Sequence, residues 1–332
     1  MSIADKLNSL ITARNNIRTA LTGKGVSAAA SHGFEDFADD VDSIFIFDPA
    51  DHVFKISLEN GEYVRSYDYI GKTVTTLPSN KYKNNTSIIE VNLPLTITTI
   101  GSYAFSGDTS LEYINLDNVT TLQDYAFQKC VNVKKFDFPN LVTITNLSFN
   151  GYRDGNTVFM TEEIIAPKLE NIPASTFSYN NGIDGGFKNL KTIDFSGVQT
   201  IGQSAFARTA LDCPISFPNL TSIAKQAFQY STIKKVVNLG SVTTIPGDTF
   251  SDCSQLTFVR YPATVTSIGA MWRTFSITTI ICLAVTPPSV SWNKVPTEIF
   301  VPDESVTAYQ GATGWSTYAS RIKPLSEYTG TD

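Results

Sequence analysis

The chain is poor in charge. Asp, Glu, Lys and Arg make up 17% of its 332 residues, below the usual quarter, and Thr, Ser and Asn carry the polar surface instead. No run of Lys and Arg interrupts a formal net charge of −6, which argues against nucleic acid as a partner. Long apolar runs are absent too. The longest candidate, residues 277–285, contains two threonines and is far short of a membrane span, so no membrane insertion is expected. Only two histidines occur, His32 and His52, in separate segments without ligand spacing. The four cysteines (Cys130, Cys213, Cys253, Cys282) form no C-x-x-C pair, which removes the usual metal and redox motifs. Gly23-Lys24-Gly25 lacks the leading glycine of a phosphate loop and would follow a helix instead of a strand. No nucleophile and base are paired by any familiar spacing. The expectation is a non-enzyme with no cofactor and no metal. Asp5 and Lys6 stand where a signal peptide needs its apolar core, so export by the general secretory route is not expected either.

What the chain does have is a repeat. An aliphatic residue followed at an interval by an aromatic recurs as IGSYAF (100–105), LQDYAF (122–127), ITNLSF (144–149), IPASTF (172–177), IGQSAF (201–206), IAKQAF (223–228) and IPGDTF (245–250). Degenerate copies flank it: LPSNKY at 77–82 and a stretched copy over 268–275. The steps between first residues are 23, 22, 22, 28, 29, 22, 22 and 23. Between copies, apolar residues fall at relative positions one, four and six, as in Leu111/Ile114/Leu116 and Val133/Phe136/Phe138. The last two alternate as one face of a short strand does. A coil of this length encloses no core alone, but stacked coils share one. About nine coils with parallel strands roughly 4.8 Å apart would span about 43 Å. The repeated aromatic would fill the interior, each ring contributing about 1.5–3 kcal/mol of burial. Cys130 and Cys253, three residues after the repeat's Phe, read as small buried fillers of the coil.

Two regions are candidates for binding. Strand alternation assigns Glu112, Tyr113, Asn115, Lys134, Lys135, Asp137, Lys191, Thr192, Asp194, Lys234, Lys235, Phe258 and Arg260 to the exposed face of the sheet; solvated residues without a partner are the competing account. The long steps add two insertions in adjacent coils, at 150–159 with Tyr152, Arg153 and Asp154, and at 178–187 with Tyr179, Asn180 and Asn181. Tyr beside Asn and Asp suits adaptable recognition, sugars included, although neutral loop growth would give the same pattern.

The ends differ from the repeats. Residues 4–21 have helical periodicity, with Leu7, Leu10, Arg14, Ile17 and Leu21 on a heptad seam interrupted by the Arg. A second short helix is expected over 34–44. This segment, 1–45, either caps the first coil or serves as an oligomerisation or docking module, with a trimer favoured for a homo-oligomer. A β-hairpin follows over 46–72, turning at Asn60-Gly61. The repeats occupy 73–295. A strand–helix cap over 296–332 carries Val306, Tyr309, Trp315 and Tyr318.

The coil sequences SLEYINLDNVTTLQDYAFQKC and QLTFVRYPATVTSIG resemble the BspA-like leucine-rich-repeat family, and the resemblance runs in register over about 230 residues. It implies an α/β solenoid with short parallel strands, no enzyme, and a role in surface attachment. The segment 11–44, with GKGV and GFEDFADDVDSI, is similar to N-terminal parts of tail-associated proteins of bacteriophages and prophages. That similarity implies a receptor-binding or fibre protein of a virion. Its partners would be other tail proteins and a protein or glycan of a bacterial surface. The alternatives are a cellular adhesin at the cell surface and a purely architectural virion component.

Overall fold

The computed structural model describes residues 54–58, 63–66, 74–149, 158–178, 186–187, 189–211, 213–271, 273–274, 276–291 and 296–330. The chain divides into a unit over Met1–Asp51 and a unit over His52–Asp332. The first, with the helical seam of Leu7, Leu10, Arg14, Ile17 and Leu21, lies outside the described residues.

Each coil contributes two strands to two parallel sheets. The second sheet consists of two-residue strands, from Thr76–Leu77 and Thr99–Ile100 through Thr244–Ile245 to Ser289–Val290. Ten of them stack, one more than the nine copies of the sequence phrase. In each, the aliphatic residue faces in and the hydroxyl or amide residue faces out. Thr98, Thr120, Thr221 and Thr266, one residue earlier, donate their hydroxyls to backbone carbonyls of the preceding coil, at 3.4, 3.3, 3.1 and 3.0 Å. The strands are short because the chain must turn twice more within 22 residues, which leaves little length for any side.

The first sheet has longer strands, among them Ile88–Asn92, Lys135–Asp137, Glu163–Ile165, Thr192–Asp194, Lys235–Asn238, Phe258–Tyr261, Thr279–Cys282 and Glu298–Val301. The pairing is parallel and in register, as in Phe136↔Ile164↔Ile193 and Val259↔Ile280↔Ile299. Its N-terminal edge is covered by Phe54–Leu58, which pairs antiparallel with Ile88–Asn92 and with Tyr63–Ser66.

The third side is the aromatic turn, and its geometry repeats. The residue two before each Phe is left-handed although none is glycine: Tyr103, Tyr125, Leu147, Ser175, Ser204, Gln226 and Asp248 have φ between 55 and 65°. Such a residue costs about 1–2 kcal/mol. Its amide is thereby aimed at the neighbouring coil, where Tyr103 N–H reaches the Asp124 carbonyl at 2.9 Å and Asp248 N–H that of Ala270 at 2.8 Å. The ring then points inward. Tyr82, Phe105, Phe127, Phe149, Phe177, Phe206, Phe228 and Phe250 form an unbroken stack with centroid steps of 5.0 to 5.8 Å. Stacked pairs add about 0.5–1.5 kcal/mol each beyond burial. The stack crosses the enlarged coils without a break.

Three residues past the ring lies a small buried slot. Cys130 and Cys253 fill it and donate to the carbonyls of Phe105 and Phe228 at 3.0 and 3.1 Å. Thr209 and Ser231 occupy the same slot in other coils, also buried. Asp108 occupies it in one coil, fully buried. Burial pushes its carboxyl from 3.8 to about 8, while the backbone amides of Leu111 and Ser110 pull the other way.

At the C-terminus, Glu298–Val301 is followed by a helix over Val306–Gly311, a 3-10 turn over Ser316–Arg321 and a further parallel strand, Ile322–Pro324. Tyr309 and Trp315 are fully buried over the last coil. Tyr309 donates to the Ala284 carbonyl at 2.6 Å and the Trp315 indole to that of Pro288 at 2.8 Å. Compared with the expected single helix, the cap is shorter in helix and gains a strand. Backbone pairing across the sheet edge satisfies groups that a helix there would leave open.

Candidate functional site

The outer face of the first sheet is where the candidate residues fall, and the structure separates them. Tyr113 is 52% exposed. Partial burial, then Asp117 and Glu90, push its phenol up. Lys135 and Asp137 form an ion pair at 2.8 Å, with Glu163 of the next coil 3.5 Å from the same ammonium. The hydrogen bond that Lys135 donates to Asp137, and the charge of that carboxylate, hold the lysine above its ordinary value. Lys191 pairs likewise with Glu162 at 2.9 Å. These exposed pairs satisfy one another and contribute little to stability.

Two expectations are corrected. Asn115, expected on the open face, is instead half-buried. Its amide donates to the Leu93 carbonyl at 3.0 Å and its oxygen accepts the Leu93 N–H, so the side chain closes the ladder between two coils. Phe258 points outward as alternation requires, yet it is only 6% exposed. With Ile281 and Phe300 it forms a small apolar cluster covered by Leu325 and Tyr328 of the C-terminal tail. The Tyr328 ring lies 6.2 Å from that of Phe258 and 5.1 Å from that of Phe300. A pattern of two residues per repeat cannot see a segment arriving from 70 positions away.

The insertion residues Tyr152, Arg153, Asp154, Tyr179, Asn180 and Asn181 lie outside the described residues. Where both insertions return, Val158 bridges Gly186 in parallel, and Phe159 stacks on Phe187 at 4.4 Å. The two enlarged coils are therefore in register where their insertions end, and each brings its own extra ring into the core.

Lys235 and Arg260 lie in the C-terminal half of the face, beside a feature the sequence reading missed. In the pairing of Ile215–Ser216 with Lys235–Asn238, Ile215 meets Val236 and Ser216 meets Asn238, so Val237 is an extra residue. This is a β-bulge, a device that re-aims side chains. A cleft of about 490 Å³ opens there, lined by Val237, Gly240, Arg260, Pro262 and Leu283 among others. Gly240 makes the turn that closes it. Its φ is +58°, and a Cβ would sit 2.3 Å from the Leu220 carbonyl oxygen, so no other residue fits without a shift. A signal existed. The apolar set Ile233/Val236/Leu239 is one residue longer than its counterparts.

Charge divides the face. Over the first coils the face bears Glu90, Glu112, Asp117, Asp137, Glu162, Glu163 and Asp194 against Lys134, Lys135 and Lys191, a net of −4. Later strands bear Lys234, Lys235, Arg260 and Lys323 against Glu298, a net of +3. Glu298 pairs with Lys323 at 2.7 Å, and Glu327 of the tail adds to that lysine's raised affinity for its proton.

Among the described residues no group of three or more His, Cys, Asp or Glu could hold a metal ion. No described helix is long and apolar enough to cross a membrane. Burial raises the Cys253 thiol to about 12 and the Cys130 thiol well above its ordinary value, so neither offers a thiolate at neutral pH.

A stack of short parallel strands, with a leucine-type apolar set on one side and an aromatic turn on another, defines a leucine-rich-repeat solenoid. The BspA type leucine rich repeat region matches in six copies, over residues 75–185 and 185–286, and the chain belongs to that family. No curated protein matches the chain significantly. Among solved structures it is similar to a leucine rich cell surface protein from Faecalibacterium prausnitzii, at 17% identity and a TM-score of 0.41, covering 84% of this chain and 94% of that one. A leucine-rich repeat protein from Bacteroides ovatus is 15% identical with a TM-score of 0.28, covering 85% and 99%. The pneumococcal vaccine antigen PcpA is 14% identical with a TM-score of 0.28, covering 77% and 70%.

Proposed function

We propose that this chain is a non-enzymatic recognition and attachment protein that contacts a bacterial surface through the outer face of its first sheet, carried on a phage or prophage tail. The observation that supports the face is its irregularity. On the second sheet the outward positions are nearly all hydroxyls. The first sheet instead presents the exposed Tyr113, divided charge and the Arg260 cleft. Extended surfaces of this kind bind partners in repeat folds. The tail assignment rests on the similarity of segment 11–44 to tail-associated proteins, and the enlarged coils remain a second contact region within this reading.

A cell-surface adhesin is the alternative, supported by the family's resemblance-based link to surface attachment. The test is binding of labelled full chain to panels of whole bacterial cells, with Tyr113→Ala and Arg260→Ala variants alongside. Saturable binding reduced by either variant is expected, whereas binding unchanged in both removes the first sheet as the site. Immunogold labelling separates the two settings: signal on virion tails favours the first, signal on intact producer cells the second.

A further inference from the structure

We propose that a groove over the two enlarged coils binds a neutral saccharide; this rests on the reading of those coils as a second contact region and names the ligand they take. The residue before each two-residue strand forms a row along the solenoid. It is threonine in six of the ten coils, at positions 75, 98, 120, 221, 243 and 266. Pro288 ends the row under the cap, where its carbonyl takes the Trp315 indole N–H. The other three are consecutive: Val142, Glu170 and Gln199. Val142 precedes the first insertion, and Glu170 and Gln199 follow one insertion each. A second row lies two residues earlier. There Asn118, Asn140 and Asn219 donate their amides to carbonyls of the preceding coil at 3.0, 2.6 and 2.7 Å. In the enlarged coils this position holds Lys168 and Gly197. Both rows that tie coil to coil thus change residue type at the same place.

A groove of about 580 Å³ opens there, within the range of small-ligand sites, about 300–1,000 Å³. The ladder of two-residue strands parts beside it, between Thr143–Ile144 and Asn171–Ile172, as it does once more between Ser222–Ile223 and Thr244–Ile245. Gly197 lets two turns approach closely, since a Cβ would lie 2.4 Å from the Pro167 carbonyl oxygen. Glu170 supplies the lining with an exposed carboxylate, and Gln199 and Asn219 supply amides. Lys168 adds an ammonium that donates to the Asn140 side-chain oxygen at 2.7 Å. One charge of each sign leaves the lining neutral, so it selects neither an anion nor a cation. A sugar hydroxyl both donates and accepts, and so meets a carboxylate, an ammonium and an amide alike. Two neighbouring hydroxyls can donate to one carboxylate, and such charge-assisted bonds are the stronger kind. The Val142 side chain, 49% exposed, and the Pro167 ring offer apolar surface to the C–H face of the sugar. Rungs about 4.8 Å apart place Glu170 one step from both Val142 and Gln199, so one ring reaches all three.

The full chain, labelled with ¹⁵N, is titrated with the methyl glycosides of glucose, galactose, mannose, rhamnose and N-acetylglucosamine while amide shifts are followed. Hexanoate and hexylammonium serve as charged controls. Saturable shifts centred on Val142, Glu170 and Gln199 are expected with at least one glycoside and with neither control. Glu170→Thr restores the residue that the row carries elsewhere. It should keep the melting temperature and weaken that glycoside about tenfold, the loss of one charge-assisted hydrogen bond. Glu170→Gln, which keeps an acceptor, should weaken it less. Response to no glycoside, an equal response to either control, or unchanged binding in Glu170→Thr would overturn the assignment. Loss of glycoside binding in Glu170→Thr with whole-cell attachment intact would keep the site and discard the enlarged coils' role in attachment.

Discussion

The two sheets of this solenoid are built from the same coils and have opposite characters. On the second, outward and edge positions are mostly Thr, Ser, Asn or Gln, Val142 and Pro288 excepted, and several edge hydroxyls are bonded to the coil before, as from Thr266 to Thr243 at 3.0 Å. Glu170 is the charged residue among them. On the first, equivalent positions vary from Tyr113 to Lys135 to Glu163 to Thr192. Uniform positions are held by the requirement that each coil bond its neighbour. Variable ones are released from that requirement, and recognition can use them.

This comparison can be broken most severely from the inside, because both sheets hang on the aromatic stack. Phe127→Ala empties a fully buried ring position and should cost about 3–5 kcal/mol, read from the urea midpoint. Both sheets should unfold together; separate transitions would show that the coils do not share one core. Gly240→Ala comes next. The left-handed φ alone costs about 1–2 kcal/mol, and the overlap with Leu220 adds to it. The melting temperature should fall, and the cleft should distort while the second sheet is unaffected by amide shifts.

Asp108 tests whether a core slot common to the coils tolerates a charge. Its folded carboxyl titrates near 8 against an ordinary 3.8. The folded state therefore holds a proton that the unfolded chain releases between those values. Its contribution to stability is complete below about pH 4 and is lost as pH rises through 8. Melting temperature should decline across this window in the wild type and be flatter in Asp108→Asn; identical profiles would refute the buried titration. Smallest are the surface changes. Thr266→Val removes one coil-to-coil hydrogen bond, about 0.5–1.5 kcal/mol, while Lys191→Ala on the first sheet should stay within about 0.5 kcal/mol. If the lysine proves the costlier, the first sheet is structural too.

Much of the core could be read directly. Each ring of the stack was identified by its repeat position, and Cys130 and Cys253 were placed as buried fillers, because period and polarity alone specify which side chains a stacked coil must hide. Extra residues that restore the pattern were harder. Phe159 and Phe187 sit at the ends of the insertions and re-enter the core, and no spacing rule assigns them. The left-handed turn residues were illegible by type: Tyr, Leu, Ser, Gln and Asp share no chemistry that favours such a backbone. At Tyr103, Ser175 and Asp248 that backbone aims the amide at a carbonyl of the next coil.

The sequence by itself determined the repeat, the solenoid and the inward faces, since these follow from periodicity and burial within one coil and its neighbour. Tertiary structure decided which outward residues stay accessible. Phe258 is outward by alternation and hidden by Tyr328; Asn115 is polar and spent on Leu93; Arg260 lines a cleft opened by one extra residue in the adjoining strand. Each outcome depends on a segment from another coil or from the tail, and contacts between distant segments leave no period in the sequence.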